Sequence, residues 1–339
     1  MTLGPGLLPM EARAVAALPD GPGWQYEPKW DGFRCLAFRD GGDVYLGSRT
    51  GKPLARYFPE VVAMLADMEA DRFVLDGELV VPVGGVLSFD ALGQRLHPAE
   101  SRVRKLAAET PARFVAFDCL ADGSGAIADK PLVERRPALE RLLAAERGAK
   151  PLLSPATTSR AEAEGWLARV GDALDGVIAK RLDEPYRPEE RAMEKVKVIR
   201  TADCVVGGFR WAQGSRTLGS LLLGLYDDDG RLDHVGFTSA FKAGDKAEFL
   251  ARLQPHRGGP GFTGKAPEGP SRWARDRDAS YEPLAHALVV EVHYDQVSSG
   301  RFRHGTTIHR WRPDKPPGQC TRDQLKHELA PAELQLALD

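Results

Sequence analysis

Lys29 is followed by Asp31, Gly32 and Arg34 in the order Lys-x-Asp-Gly-x-Arg, and Glu27 precedes it by two positions. This set can do covalent phosphorus chemistry. An amine attacks phosphorus only when neutral, whereas a free lysine, with a pKa near ~10.4, is almost wholly protonated at pH 7. The surroundings must therefore favour the free amine, through neighbouring cations and partial burial. A glycine close by permits close backbone approach, so that a bulky phosphate can reach the nitrogen. Asp-Gly is also a common turn dipeptide, and the short pattern taken alone reads first as a surface turn. Residues further along must decide.

The elements that would position this lysine follow from apolar spacing. A strand is expected over 73–81, carrying Asp76 and Glu78 in its middle, and another over 113–120. Acids inside a strand are costly to desolvate unless something compensates them, and a metal or a ribose hydroxyl is the natural candidate. Ser88 is placed to cap a helix over 88–95. A second helix is expected over 132–146, with Leu132, Leu139, Leu142 and Leu143 on its apolar side. A strand is expected at 196–199. Beyond residue 200 come short strands at 203–209, 218–226, 231–238, 287–294 and 306–311, interrupted by a helix over 243–253. Five such strands fit a small barrel. The Gly/Pro-rich segment 255–283 is expected to be a long loop carrying Arg272, Trp273, Arg275 and Arg277, suited either to a surface loop or to phosphate and sugar contact.

Composition sets the outer limits. A chain of 339 residues fits two domains, expected here as 1–201 and 202–339. With 42% hydrophobic and 28% charged residues the sequence has the balance of a globular protein. No apolar run approaches the ~20 residues of a membrane span, and residues 1–10 lack a basic region followed by an apolar stretch, so a cytoplasmic location is expected. Cys35, Cys119, Cys204 and Cys320 form no Cys-x-x-Cys pair. That spacing argues against a zinc site or a disulfide framework and predicts reduced core residues. The net charge of -2 does not announce a nucleic-acid partner, but Arg301, Arg303, Arg310, Arg312 and Lys315 cluster with Phe302 and Trp311 among them. Such a cluster can neutralise several phosphates, and it equally suits a solvated arginine face.

The order of motifs resolves the reading of Lys29. The 27–34 block resembles motif I of the covalent nucleotidyltransferases. Ser48-Arg49-Thr50-Gly51-Lys52 is similar to motif Ia, Asp76-Gly77-Glu78 to motif III and Phe114 to Cys119 to motif IIIa. Asp175 to Lys180 is similar to motif IV, Lys195-Val196-Lys197 to motif V, and Arg312-Pro313-Asp314-Lys315 to motif VI. Over nearly its whole length the chain resembles the ATP-dependent DNA ligases, most closely the small bacterial C-type (LigC-like) repair enzymes. The resemblance implies an α+β architecture: an ATP-grasp-like adenylation domain of antiparallel sheets with helices, followed by a C-terminal OB-fold barrel.

The same resemblance implies roles. Lys29 would carry AMP, Glu27 would accept from the adenine amino group, and Phe117 would stack on the base. Arg34 and Arg49 would bind ribose and phosphate, and Lys195 and Lys197, two apart on a strand, would hold the α-phosphate. Glu78 would touch the ribose or a metal-bound water. Asp31 and Asp76 would orient neighbouring groups. Asp175 stands where the family more often has Glu; one methylene shorter, it would reach a metal closer to the strand or through water. Arg312 and Lys315 would orient pyrophosphate, and Arg272, Arg275, Arg301 and Arg303 would contact DNA. The expected cofactors are ATP and Mg2+, with Mn2+ as a substitute. The expected partners are nicked duplex DNA and repair proteins in trans, the chain acting as a monomer away from membranes. A hinge is expected near 200–203. A GTP-using capping enzyme, an RNA ligase and a catalytically dead DNA-binding module are the alternatives. An NAD-dependent ligase is disfavoured, since the cysteine set of its zinc module is missing.

Overall fold

The computed structural model describes residues 3–168, 174–242, 244–267 and 280–325. Arg272, Trp273, Arg275 and Arg277 lie outside the described residues. The chain divides into two compact units between Val198 and Ile199.

The first unit holds two main sheets. One has six strands in the order Leu152–Leu153, Arg113–Asp122, Arg72–Val80, Phe33–Asp40 and Asp43–Ser48, with Gly125–Ala126 paired to Arg113–Asp122. Its central strands are buried on both faces, which is why Cys35, Leu36, Ala37 and Phe38 are consecutive core residues. On one face Phe58, Val61 and Leu65 from the start and body of helix Pro59–Ala66 pack with Leu75, Leu79 and Phe114. The second sheet has four strands in the order Ala12–Ala14, Met193–Val196, Leu174–Arg181 and Trp24–Trp30. Trp30 and Leu174 of this sheet pack with Val80, Val115 and Phe117 of the larger one. Trp24–Trp30 is an edge strand, and Pro28 stands in its ladder opposite Val177. Proline, with no N–H, is tolerated at a sheet edge.

Most pairings are antiparallel, as expected. Two short edge pairings are parallel, Ala12–Ala14 with Met193–Val196 and Leu152–Leu153 with Arg113–Asp122. Ser88 caps helix Phe89–Gln94, its hydroxyl accepting from Ala91 N at 3.2 Å. Helix Leu132–Ala145 buries Leu132, Leu139 and Leu143, but also Arg135 and Arg136. Arg135 donates two bonds to Asp118, at 2.9 and 3.0 Å, and others to the carbonyls of Lys130 and Glu184. Burial pushes the Asp118 carboxyl up, and the charge and hydrogen bonds of Arg135 more than offset this, leaving it below the usual carboxylate range. Removing one partner strands a buried charge, so Arg135→Met is expected to cost about 3–5 kcal/mol in urea unfolding at pH 7. The Asp118→Asn/Arg135→Met pair should cost less. Because the folded pKa is depressed, the contribution is present above the unfolded value and fades as pH falls, so wild type and Arg135→Met should converge below about pH 4.

The strand expected at 196–199 is replaced by Met193–Val196, three irregular residues and then Arg200–Trp211. The cause is a bulge opposite. Val196 pairs with Val177, and just before Val177 the strand Leu174–Arg181 shifts register against its other neighbour, Trp24–Trp30, between Leu174 and Gly176. Gly176 has φ +143°, and a Cβ there would sit 2.0 Å from the Val196 carbonyl oxygen. The ladder therefore ends at Val196, and Lys197 lies just past it.

The second unit is a five-stranded antiparallel sheet in the order Leu232–Thr238, Leu218–Tyr226, Arg200–Trp211, Val289–Tyr294 and Thr307–Trp311, with Glu282–Pro283 added to Arg200–Trp211. A parallel bridge between Thr238 and Thr306 joins the two outermost segments, and the Thr238 hydroxyl donates to the Thr306 carbonyl at 2.8 Å. The barrel is thereby closed around Val205, Phe209, Leu221, Leu223, Val235 and Val290. Helix Asp245–Leu253 follows the third strand. This is the OB arrangement. The residues expected to hinge, 200–203, are ladder residues paired with Tyr294 to Glu291. The irregular backbone is at 197–199. All four cysteines are free and buried.

Candidate nucleotide-transfer site

Alternation along Trp24–Trp30 puts Gln25, Glu27 and Lys29 on one face of the strand. Across the ladder Lys29 faces Gly176, and Glu27 faces Ile178, which faces Lys195 on the next strand. Motifs I, IV and V are thus brought side by side. Lys29 Nζ lies 2.5 Å from Asp175 Oδ2, and Lys197 Nζ lies 3.0 Å from the same oxygen. Asp175 is buried. Burial and the charges of Lys29, Lys197 and Arg49 hold Lys195 below the usual lysine range. The result is one carboxylate amid a group of cations.

Glu27 is also buried, with Lys180 Nζ at 2.8 Å from Oε2 and the Gln25 amide donating to Oε1 at 2.8 Å. Phe117 carries Arg34 Cζ 4.5 Å and Lys180 Nζ 4.7 Å from its ring centroid, within cation–π range. Arg34 donates a two-pronged bond to Asp76, at 2.6 and 2.7 Å, and Tyr186 Oη donates to Asp76 Oδ2 at 2.6 Å. The metal or ribose expected to compensate Asp76 is not needed for it, because Arg34 and Tyr186 do so. Glu78 differs. Two residues along the same face, its carboxylate has no hydrogen bond or ion pair among the described residues. Burial pushes it up, Arg34 and Lys29 pull it down, and Asp76 and Asp31 add to the rise, leaving it at about 7.

Arg49 is exposed on the turn after Asp43–Ser48, where it donates to Glu11 Oε1 at 2.9 and 2.7 Å. Gly32 permits a close approach, as expected, but of protein to protein: a Cβ there would lie 2.2 Å from the Leu79 carbonyl oxygen. In the second unit, Arg312 donates to Asp203 at 2.9 Å and to Asp314 at 2.8 Å, and Lys315 lies 3.7 Å from Asp203. Arg310 pairs with Glu291 at 2.6 Å. Much of the basic cluster is therefore matched by acids of its own unit. Arg301 lies 3.0 Å from His234 Nδ1 and Arg303 bonds Gln296. Among the described residues no group of three metal-binding side chains converges, and no helix is long and apolar enough to cross a membrane.

The first unit thus gathers Glu27, Lys29, Arg34, Glu78, Phe117, Asp175, Lys195 and Lys197, with Arg49 at the margin; the second unit carries Arg301, Arg303, Arg312 and Lys315. The site also contains Gln25 and Tyr186, which the sequence reading did not single out, and Lys180, which it named only as the end of the motif IV block without a role. Lys180 was within reach: it lies two residues from Ile178 and pairs with Gln25, which puts it on the Glu27 face. Tyr186 gave no signal, since it stands between motifs in an irregular segment.

A lysine held among cations on paired sheets, followed by an OB barrel, defines a covalent nucleotidyltransferase. Residues 9–197 match the family model for the ATP dependent DNA ligase domain, and 214–315 match its C terminal region. The chain belongs to the ATP-dependent DNA ligases, enzymes that act on nicked DNA. It is 47% identical to DNA ligase C2 of Mycolicibacterium smegmatis, over 95% of this chain and 94% of that one. It is 44% identical to DNA ligase C of Mycobacterium tuberculosis, over 96% and 95%. A solved Lig E DNA ligase shares the fold, with a TM-score of 0.58 at 17% identity over 91% of this chain and all of that one.

Proposed function

We propose that Lys29 is the nucleophile of a three-step nick-sealing reaction serving DNA repair. Lys29 Nζ attacks the α-phosphorus of ATP, a P–N bond forms and pyrophosphate leaves. AMP then passes to the 5′-phosphate at the nick. The neighbouring 3′-hydroxyl attacks that phosphate, the phosphodiester forms and AMP departs. The convergence of Lys29 and Lys197 on Asp175, with Lys195 close by, carries this reading: the amines gather where a phosphate must sit, and the carboxylate positions the attacking one, which turns nucleophilic only once its proton has left.

The other residues divide the binding. Glu27, held by Gln25 and Lys180, accepts from the adenine amino group, while Phe117 offers its face to the base and Arg34 and Arg49 take ribose and phosphate oxygens. For the base to stack, the cations over Phe117 must give way on one face. Magnesium, or manganese in its place, would neutralise developing phosphate charge, and Glu78 fits it best as a half-buried carboxylate with no protein partner among the described residues, since magnesium commonly uses one carboxylate with substrate oxygens and water. Asp175 would be a ligand only after a lysine releases it. Motif VI residues Arg312 and Lys315 orient pyrophosphate, and the irregular backbone at 197–199 serves as the hinge between the units. Arg301 and Arg303, with Arg272 and Arg275, contact the duplex backbone. The chain works as a monomer in the cytoplasm, where ATP and DNA are, with repair proteins acting in trans.

A pulse–chase tests the sequence of steps. Protein labelled with α-labelled ATP and freed of nucleotide should pass its label to nicked duplex and then release it as AMP; label that stays on the protein sinks the reading. Glu78 gives a pH signature. With its folded pKa at about 7, the ionised ligand becomes available only as pH rises through that value, so lysine adenylation should climb between pH 6 and 8 and level off, and Glu78→Gln should flatten the climb. The raised pKa also means that stability is present at low pH and lost as pH rises through 7, so Glu78→Gln should melt higher than wild type at pH 8 in the absence of nucleotide. Duplex affinity should fall steeply with salt, and Arg301→Ala should reduce that slope by about one.

A further inference from the structure

Tyr186 sits between motifs IV and V, only 2% exposed, and packs with Met10, Leu36, Phe38 and Leu120. Its hydroxyl closes a ring of four hydrogen bonds. Met10 N donates to Tyr186 Oη at 2.9 Å, Tyr186 Oη donates to Asp76 Oδ2 at 2.6 Å, and Arg34 Nη2 donates both to Asp76 Oδ2 at 2.7 Å and to the Met10 carbonyl at 3.3 Å. Arg34 leaves that ring with its guanidinium over Phe117. Two donors on one carboxylate oxygen fix the carboxylate about its own axis, and a fixed carboxylate fixes the planar fork bound to it.

We infer that Tyr186 is a positioning residue for nucleotide binding: through Asp76 it holds Arg34 at the angle from which the arginine meets the ribose and phosphate of ATP. Tyr186 itself need not touch the nucleotide. The inference deepens the proposed function and rests on Arg34 being a nucleotide contact. Without the hydroxyl, Asp76 Oδ2 keeps one donor, Met10 N–H loses its acceptor, and the Arg34 fork can turn. The affinity for ATP should drop while the attacking amine, on another strand and paired with Asp175, stays in place.

Tyr186→Phe keeps the ring in its packing and removes only the hydroxyl. In lysine adenylation with ATP and magnesium its KM for ATP should rise about five- to tenfold, with kcat within about twofold of wild type. The same substitution in an Arg34→Lys background, which already lacks the fork, should raise KM less than twofold. An unchanged KM for Tyr186→Phe overturns the inference, as does an equal rise in both backgrounds, which would mark a general loosening. Arg34→Lys with a KM like wild type would instead remove Arg34 from the nucleotide site and the inference with it. Should the phenylalanine variant aggregate, Tyr186→Met, which also lacks the donor, carries the same comparison, and melting curves of each variant separate loss of fold from loss of affinity.

Discussion

Replacing Lys29 by alanine should reduce self-adenylation to background, with no added AMP on the intact protein. Lys29→Arg should be equally inert although it conserves the positive charge: a guanidinium stays protonated and is no nucleophile, yet can keep the contact with Asp175. The arginine variant should therefore melt within a few degrees of wild type. This pairing of variants separates the chemistry of the nitrogen from its electrostatic place in the cluster. A nick that already carries AMP on its 5′-phosphate should still be sealed by Lys29→Arg, because the last step asks nothing of the lysine as a carrier. Adenylate appearing on either variant, or on a peptide other than the one containing residue 29, would dismantle the assignment.

Gly176→Ala should have the next largest effect. The position combines φ +143° with a Cβ that would lie 2.0 Å from the Val196 carbonyl oxygen, and neither backbone nor ladder can yield cheaply. Strain of this kind with local overpacking costs about 2–4 kcal/mol. The strain should reach the chemistry as well as the fold. Gly176 follows Asp175 directly and abuts the strand that ends before Lys197, so parting the two strands pulls the carboxylate away from Lys197 and shifts it against Lys29 on the strand beyond. A displacement near 1 Å at the reacting groups can cost about 10²-fold in rate. Single-turnover adenylation alongside urea unfolding would show it. A variant that loses stability but adenylates normally would mean that the alignment of Asp175 with its two lysines does not limit the reaction.

Much of this arrangement was legible from residue order. The barrel strands were readable because each is a short apolar run between turn residues, as with Leu218–Tyr226. Helix Leu132–Ala145 was readable from its leucine spacing. What periodicity could not show was which polar residue a core would swallow. Arg135 sits on the inward face of that helix because Asp118 waits opposite, a match made between distant segments that leaves no local mark. Tyr186 and Asp76 meet in the same way across 110 positions. The misplaced strand at 196–199 has a related origin: valine and isoleucine favour a strand, but a ladder also needs a partner, and the bulge at Gly176 ends it. The gathering of the candidate site was visible through motif order, whereas the prior occupation of Asp76, Glu27 and Phe117 by neighbouring cations was not.

The strand bearing Lys29 lies at the rim of its sheet, where chains usually risk recruiting copies of themselves. Pro28, immediately before that lysine, offers an incoming strand no N–H to bind. With Thr157 already bonded to Tyr26 on the same side, this rim is a poor template for self-association, and concentrated solutions should stay free of cross-β assemblies nucleated there.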